Sequence, residues 1–182
     1  MRTTFLGAAA AAAAATLVTA VAPPATAAAI GVEDPADVRH GVDLRAVQVT
    51  NGERNLRIVL SHANLRRDHR SAAGGAVYVD TDPRDRGPEL VFVGGYFEGT
   101  DYQLLRTEGF GVRNWGAPVH GSYSMSLDYD KEQTRMRISR QVLGRATSVR
   151  VAVRVSGRRA DGTHVVDWLG RPRSFTPWVR RG

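Results

Sequence analysis

The chain predicts an all-β fold: a two-sheet antiparallel β-sandwich, jelly-roll or immunoglobulin-like, with about eight or nine strands and minimal helix. Three observations carry this. Apolar residues recur with a period of two from residue 42 onward, as in strands with one face on a core and the other in water. The runs are short and closely spaced, with Gly, Pro and an Asn51-Gly52 turn signal between them. The only helical signal is Arg140–Leu143, one turn closed by Gly144. Short strands punctuated this way pack as a sandwich, with a closed barrel as the alternative.

Residues 1–29 read as a secretory signal peptide. Met1-Arg2-Thr3-Thr4 is a short positive start, residues 5–21 carry no charge, and residues 23–29 are a small-residue exit. The small-x-small rule puts cleavage after Ala27 or Ala29 and the mature chain outside the cytoplasm. The apolar stretch is mostly Ala and short of the roughly 20 residues of a span. Two prolines follow it and no later segment is long and uncharged, so no membrane span is expected in the mature chain. Residues 30–182 are expected to form one β-sandwich domain with a real core, entered through a loose leader over 30–41.

Within that domain Val47 and Val49 pair with Leu56, Ile58 and Leu60 across the Asn51-Gly52 turn. Residues 76–80 and 89–93 make the next pair, and 102–106 follows. Residues 122–129 place Tyr123, Met125, Leu127 and Tyr129 inward, then turn through Asp130-Lys131-Glu132-Gln133 into 134–139. The clearest strand is 148–156, with Val149, Val151, Val153 and Val155 on the core side and Arg150, Ala152 and Arg154 toward water. Residues 163–168 come last, and Trp168, Phe175 and Trp178 pin the C-terminal segment to the body.

Three patterns run along most of the mature chain: Val47-Gln-Val-Thr-Asn-Gly-Glu-Arg-Asn-Leu-Arg-Ile58, Tyr78-Val-Asp-Thr-Asp-Pro with Gly87-Pro-Glu-Leu90, and Phe175-Thr-Pro-Trp-Val179. On these the chain resembles a group of small, Arg-rich secreted proteins of actinobacteria with no assigned activity. The resemblance implies a secreted β-sandwich, similar to carbohydrate-binding modules by analogy of fold alone, and it adds no catalytic residue. Members of the group often hold a cysteine pair around residues 120–142, where this chain has none, so packing must replace that staple.

The absence of Cys excludes disulfides, thiol catalysis and Cys-ligated zinc. The formal charge of +7 becomes +6 once Arg2 is removed with the leader, and 24 of the 25 basic residues are Arg. A basic surface attracts wall polymers, acidic glycans or nucleic acid. The arginines are nevertheless scattered from Arg39 to Arg181 among Asp and Glu, which reads as a solvated face without a dedicated nucleic-acid site.

Two segments are candidate sites. Asp80, Asp82, Asp85 and Glu89 are the densest carboxylate cluster and the candidate Ca²⁺ ligands, although Arg84 and Arg86 compete and the EF-hand spacing fails. The Gly- and aromatic-rich stretch 94–117 offers Tyr102 and Trp115 as stacking platforms for sugar, while Phe97 and Phe110 belong to the core. The five histidines form no ligand or nucleophile–base motif, and Ser61 and His62, adjacent on a strand, point to opposite faces. No catalytic residue is assigned. The expected function is a secreted, non-catalytic binding or accessory domain whose partner is an extracellular glycan or cell-wall polymer. The alternatives are a hydrolase with a carboxylate pair such as Glu98/Asp101 or Glu108/Asp128, and a basic polyanion or protein-interaction module.

Overall fold

The computed structural model describes residues 28–182. The period-two runs become twelve strands: β1 (Ala28–Glu33), β2 (Leu44–Asn51), β3 (Asn55–His62), β4 (Gly74–Asp80), β5 (Leu90–Gly95), β6 (Tyr102–Thr107), β7 (Trp115–Pro118), β8 (Tyr123–Asp128), β9 (Gln133–Ser139), β10 (Ser148–Arg158), β11 (His164–Trp168) and β12 (Val179–Arg180). One helical turn, α1 (Arg140–Leu143), links β9 to β10. The strands form two antiparallel sheets and no barrel. The first runs β1-β2-β3-β9-β8, the second β11-β10-β4-β5-β6-β7, with β12 beside β10.

Each of the nine sequence-predicted strands is present. The Asn51-Gly52 turn sets the β2–β3 register at Val49↔Ile58 and Asn51↔Leu56, and the Gly52 amide donates to the Asn55 carbonyl at 3.0 Å. Val149, Val151, Val153 and Val155 are fully buried between the sheets, facing a core that includes Val47, Ile58, Phe92 and Leu104. Burying each such side chain stabilises by about 1.5–3 kcal/mol. Among the described residues no helix is long and apolar enough to cross a membrane.

Glycine has a packing role on the inner face of the second sheet. Gly75 of β4 pairs in register with Gly94 of β5. A Cβ on Gly75 would overlap the Tyr96 hydroxyl, and one on Gly94 would lie 2.8 Å from the Met125 methyl. The glycine pair thus leaves the hollow into which Tyr96 and Met125 pack. Tyr96 is fully buried and its ring has nowhere to retreat. Gly75→Ala should therefore destabilise the protein by about 1–3 kcal/mol, the usual range for overpacking, read from urea unfolding. An unchanged midpoint would refute this account of the hollow.

Three expectations are corrected. Residues 30–41 are not simply a loose leader: Ala28 and Ala29, the last two residues of the expected signal peptide, open β1, which pairs with β2 from Ala28↔Asn51 to Glu33↔Ala46. The rest of that signal peptide lies outside the described residues. The Gly- and aromatic-rich stretch 94–117 is not one presenting platform: Gly94 and Gly95 end β5, Tyr102 opens β6 and Trp115 opens β7.

The third correction concerns the face of β10 assigned to water. Ala152 is fully buried there in a second cluster with Ala76, Tyr78, Val91 and Leu105, covered by Phe110, Trp115, Trp168 and Phe175. Tyr78 stacks on Trp168 at 6.1 Å and donates its hydroxyl to the Phe110 carbonyl at 2.6 Å. Phe110 is therefore packed on the outside of a sheet, in a satellite cluster. The second sheet is covered on both faces.

Candidate functional site

Three connections meet at one end of the sandwich: β1–β2, β3–β4 and the β10–β11 hairpin. Backbone bonds dock the second on the first, Ala63 donating to Asp43 and Asn64 to Gly41, both at 2.9 Å. The Asp68 carboxylate caps a 3₁₀ turn at His69–Ser71 by accepting the Arg70 amide at 2.8 Å, and Ala72 reverses the chain with φ 44°. His40 joins the first loop to the hairpin. Its Nδ1 accepts the Val42 amide at 3.2 Å, so Nε2 carries the proton and donates to the Arg158 carbonyl at 3.1 Å. The ring lies where a Cβ on Gly157 would be, so Gly157 is the residue that admits it.

Between these loops is a cleft of about 610 Å³ with a floor that includes Val42, Leu65 and Ala73. Its walls carry Arg39, Arg66, Arg70, Arg158 and Arg159, with Asp68 as the lining carboxylate. All five arginines are exposed, and none forms an ion pair among the described residues. Arg158 Nη2 bonds His164 Nε2 at 3.1 Å and Arg159 Nε donates to the Arg39 carbonyl at 3.4 Å. Five guanidiniums over one carboxylate still create a local positive potential, with the remaining N–H donors open to carboxylate, sulfate or phosphate. These arginines lie as much as 120 positions apart in the chain. Their scattering in sequence hides their convergence.

The sequence-predicted site residues are dispersed. Asp80 is fully buried at the end of β4, where Oδ2 accepts Arg150 Nε at 2.8 Å and Nη2 at 2.7 Å. Burial pushes its carboxyl up in spite of that partner. Asp82 is held in a fork by Arg84, with both bonds at 3.0 Å, and this keeps its carboxyl low. Asp85 Oδ1 accepts the Arg86 amide at 2.6 Å. Glu89 Oε2 accepts the Thr81 amide and hydroxyl at 2.6 and 2.9 Å, and burial pushes its carboxyl up. No three of these four carboxylates converge on a common point.

Tyr102 and Trp115 are both half-buried, on opposite faces of the second sheet. Tyr102 stacks on Phe92 at 5.7 Å in the main core and, with Tyr123, walls a shallow hollow beside Asp101 and Gln103. Trp115 belongs to the outer cluster, with its indole nitrogen enclosed. The two rings do not form one platform.

A second acidic group emerges only in three dimensions. Asp34, Asp37 and Asp167 each bring a carboxylate oxygen within 4.8 Å of the others. Burial pushes Asp167 up to about 6, and the charges of Asp34, Asp37 and Asp43 add to the effect, while the Leu44 amide opposes it. His62 is inside the protein. Its Nδ1 donates to the Val42 carbonyl at 2.9 Å, its Nε2 accepts the Thr134 hydroxyl at 3.2 Å, and burial pushes it down to about 4. No family model and no curated protein matches the chain.

Proposed function

We propose that the protein is an exported, non-catalytic binding domain, and that its arginine-lined cleft takes an anionic extracellular carbohydrate, such as a wall polymer bearing carboxylate or phosphodiester groups. The observation that carries this reading is the meeting of Arg39, Arg66, Arg70, Arg158 and Arg159 around one cleft with a single lining carboxylate. It joins the carbohydrate and polyanion expectations in one ligand class. Export by the leader fits a ligand outside the cell, as does the resemblance to secreted actinobacterial proteins. Cleavage after Ala27 leaves β1 whole, whereas cleavage after Ala29 removes two of its residues.

Binding to purified cell wall and to a soluble acidic glycan, followed against salt, tests the reading. Counterion release makes log affinity fall with log salt by roughly 0.7–0.9 per neutralised charge on a polyanion. The triple variant Arg66→Gln/Arg158→Gln/Arg159→Gln should bind about a hundredfold more weakly at low salt, at roughly 1 kcal/mol per lost charged contact, and with a flatter salt dependence. Equal binding by the variant, or affinity indifferent to salt, would overturn it. Binding of a neutral glycan that Tyr102→Ala abolishes would place recognition in the Tyr102–Tyr123 hollow instead.

A further inference from the structure

Three aspartates from two separate parts of the chain meet where one sheet touches the other. Asp34 directly follows β1, Asp37 lies in the loop beyond it, and Asp167 sits on β11. One carboxylate oxygen of each lies within 4.8 Å of the others. Three oxygens spread evenly around one Ca²⁺ at 2.3–2.6 Å are about 4–4.5 Å apart. Separations within 4.8 Å therefore put the three within a few tenths of an ångström of closing on a single ion. None of the three carboxylates is ion-paired among the described residues, although the chain holds 24 Arg; Arg45 pairs with Asp43 at 3.1 Å.

The second observation is the state of Asp34. Its side chain is enclosed, with the residue only 8% exposed. Oδ1 accepts the Gly170 amide at 2.6 Å, while Oδ2 is buried with no hydrogen-bond partner among the described residues. A buried carboxylate oxygen without a partner is strongly unfavourable and rare. A cation would supply the partner and offset the charge of the neighbouring aspartates.

We infer that Asp34, Asp37 and Asp167 bind one hard divalent cation, Ca²⁺ in preference to Mg²⁺, which clamps the β1 end of the first sheet to β11 of the second. The donor set is all oxygen, with no imidazole or thiolate, and this disfavours transition metals. Donors drawn from the loop after β1 and from β11 of the other sheet suit the flexible coordination of Ca²⁺ better than the strict octahedron of Mg²⁺. Asp37 is exposed, which leaves the group open to entry of the ion and to water ligands. The two sheets are already cross-linked by these carboxylates: Gly170 donates to Asp34, and Leu44 donates to Asp167 at 2.8 Å. An ion would complete the joint beside the loops that build the arginine cleft.

Thermal unfolding of the full chain, stripped with EDTA and titrated with Ca²⁺ or Mg²⁺, tests the inference. Extracellular Ca²⁺ modules bind with Kd of about 10⁻⁴–10⁻³ M, so about 10 mM Ca²⁺ should raise Tm by roughly 3–10 °C through linkage. Calorimetric titration should give one ion per chain. Asp34→Asn and Asp167→Asn should each abolish the rise while leaving the ion-free protein no less stable, because each removes one of three crowded charges. Asp85→Asn should leave the rise intact. The inference fails if the wild type shows neither shift nor heat, or if Asp34→Asn and Asp167→Asn respond as the wild type does. It fails equally if Asp85→Asn alone loses the response, which would assign the ion to the loop after β4. The wild-type titration decides the matter even where a variant does not fold.

Discussion

Arg150→Met should lower the unfolding free energy by about 3–5 kcal/mol near pH 8, the usual result of removing one partner of a buried ion pair. Arg150 lies opposite Asp80 in the β10–β4 register and gives both of its bonds to a carboxylate that solvent does not reach. Its guanidinium also covers the rings of Phe175 and Trp178, at 4.4 and 4.6 Å from their centres. Methionine keeps much of the volume and loses the charge. Asp80 is then left buried without a counter-ion, and the segment from Phe175 to Trp178 loses its cation–π anchor.

The sign of the pH dependence follows from Asp80, whose carboxyl burial already pushes up in the wild type. Without Arg150 that carboxyl rises further, so the folded variant holds a proton that the unfolded chain has released above about pH 4. The variant should therefore lose stability relative to the wild type as pH rises, with a smaller deficit at pH 5 than at pH 8. Urea unfolding at the two pH values measures this, and a second Asp80→Asn substitution should recover much of the loss. A deficit below about 1 kcal/mol at pH 8, the range of an exposed surface pair, would mean that the pair is no buried clamp.

The advantage of the wild type over His62→Gln should shrink by about 3 kcal/mol between pH 7 and pH 4. His62 is held neutral in the fold, with its proton on Nδ1 facing the Val42 carbonyl. Burial pushes it from 6.5 down to about 4. Between those values the unfolded chain binds a proton that the folded chain refuses. The stability contributed by the neutral ring is complete above pH 6.5 and is lost as pH falls to 4, at about 1.4 kcal/mol per pH unit.

Asp167 acts in the opposite sense, because its carboxyl is pushed from 3.8 up to about 6 and the fold gains a proton that the unfolded chain lacks. The wild type alone would thus show a muted pH dependence in this window. The difference between the two proteins cancels the Asp167 contribution and isolates His62. Denaturant unfolding at pH 7, 5.5 and 4 would measure it, and a constant difference would show that the imidazole takes up its proton without leaving its place.

Sequence alone determined the strands and their inward faces, because side-chain direction alternates along any extended chain and one apolar face must find a core. Val149 to Val155 and Leu56 to Leu60 are legible for this reason, as is the hairpin register fixed by Asn51-Gly52. β1, β7 and β12 were not legible. β1 is rich in Ala and Gly, β7 is a four-residue strand that ends in Pro118, and β12 has only two residues. Their extended conformation is selected by a neighbouring strand and not by their own residues.

Tertiary structure alone decided the candidate sites. Asp80, Asp82, Asp85 and Glu89 are close in sequence, yet local arginines and backbone amides hold them apart. Asp167 is remote in sequence from Asp34 and Asp37 and meets them only because β1 and β11 belong to sheets that pack together. The arginines follow the same rule: Arg39, Arg66, Arg70, Arg158 and Arg159 converge because three loops close one end of the sandwich. Alternation is a local property and survives in one dimension. The meeting of like charges is a long-range property, set by sheet order and loop docking, and only the folded chain contains it.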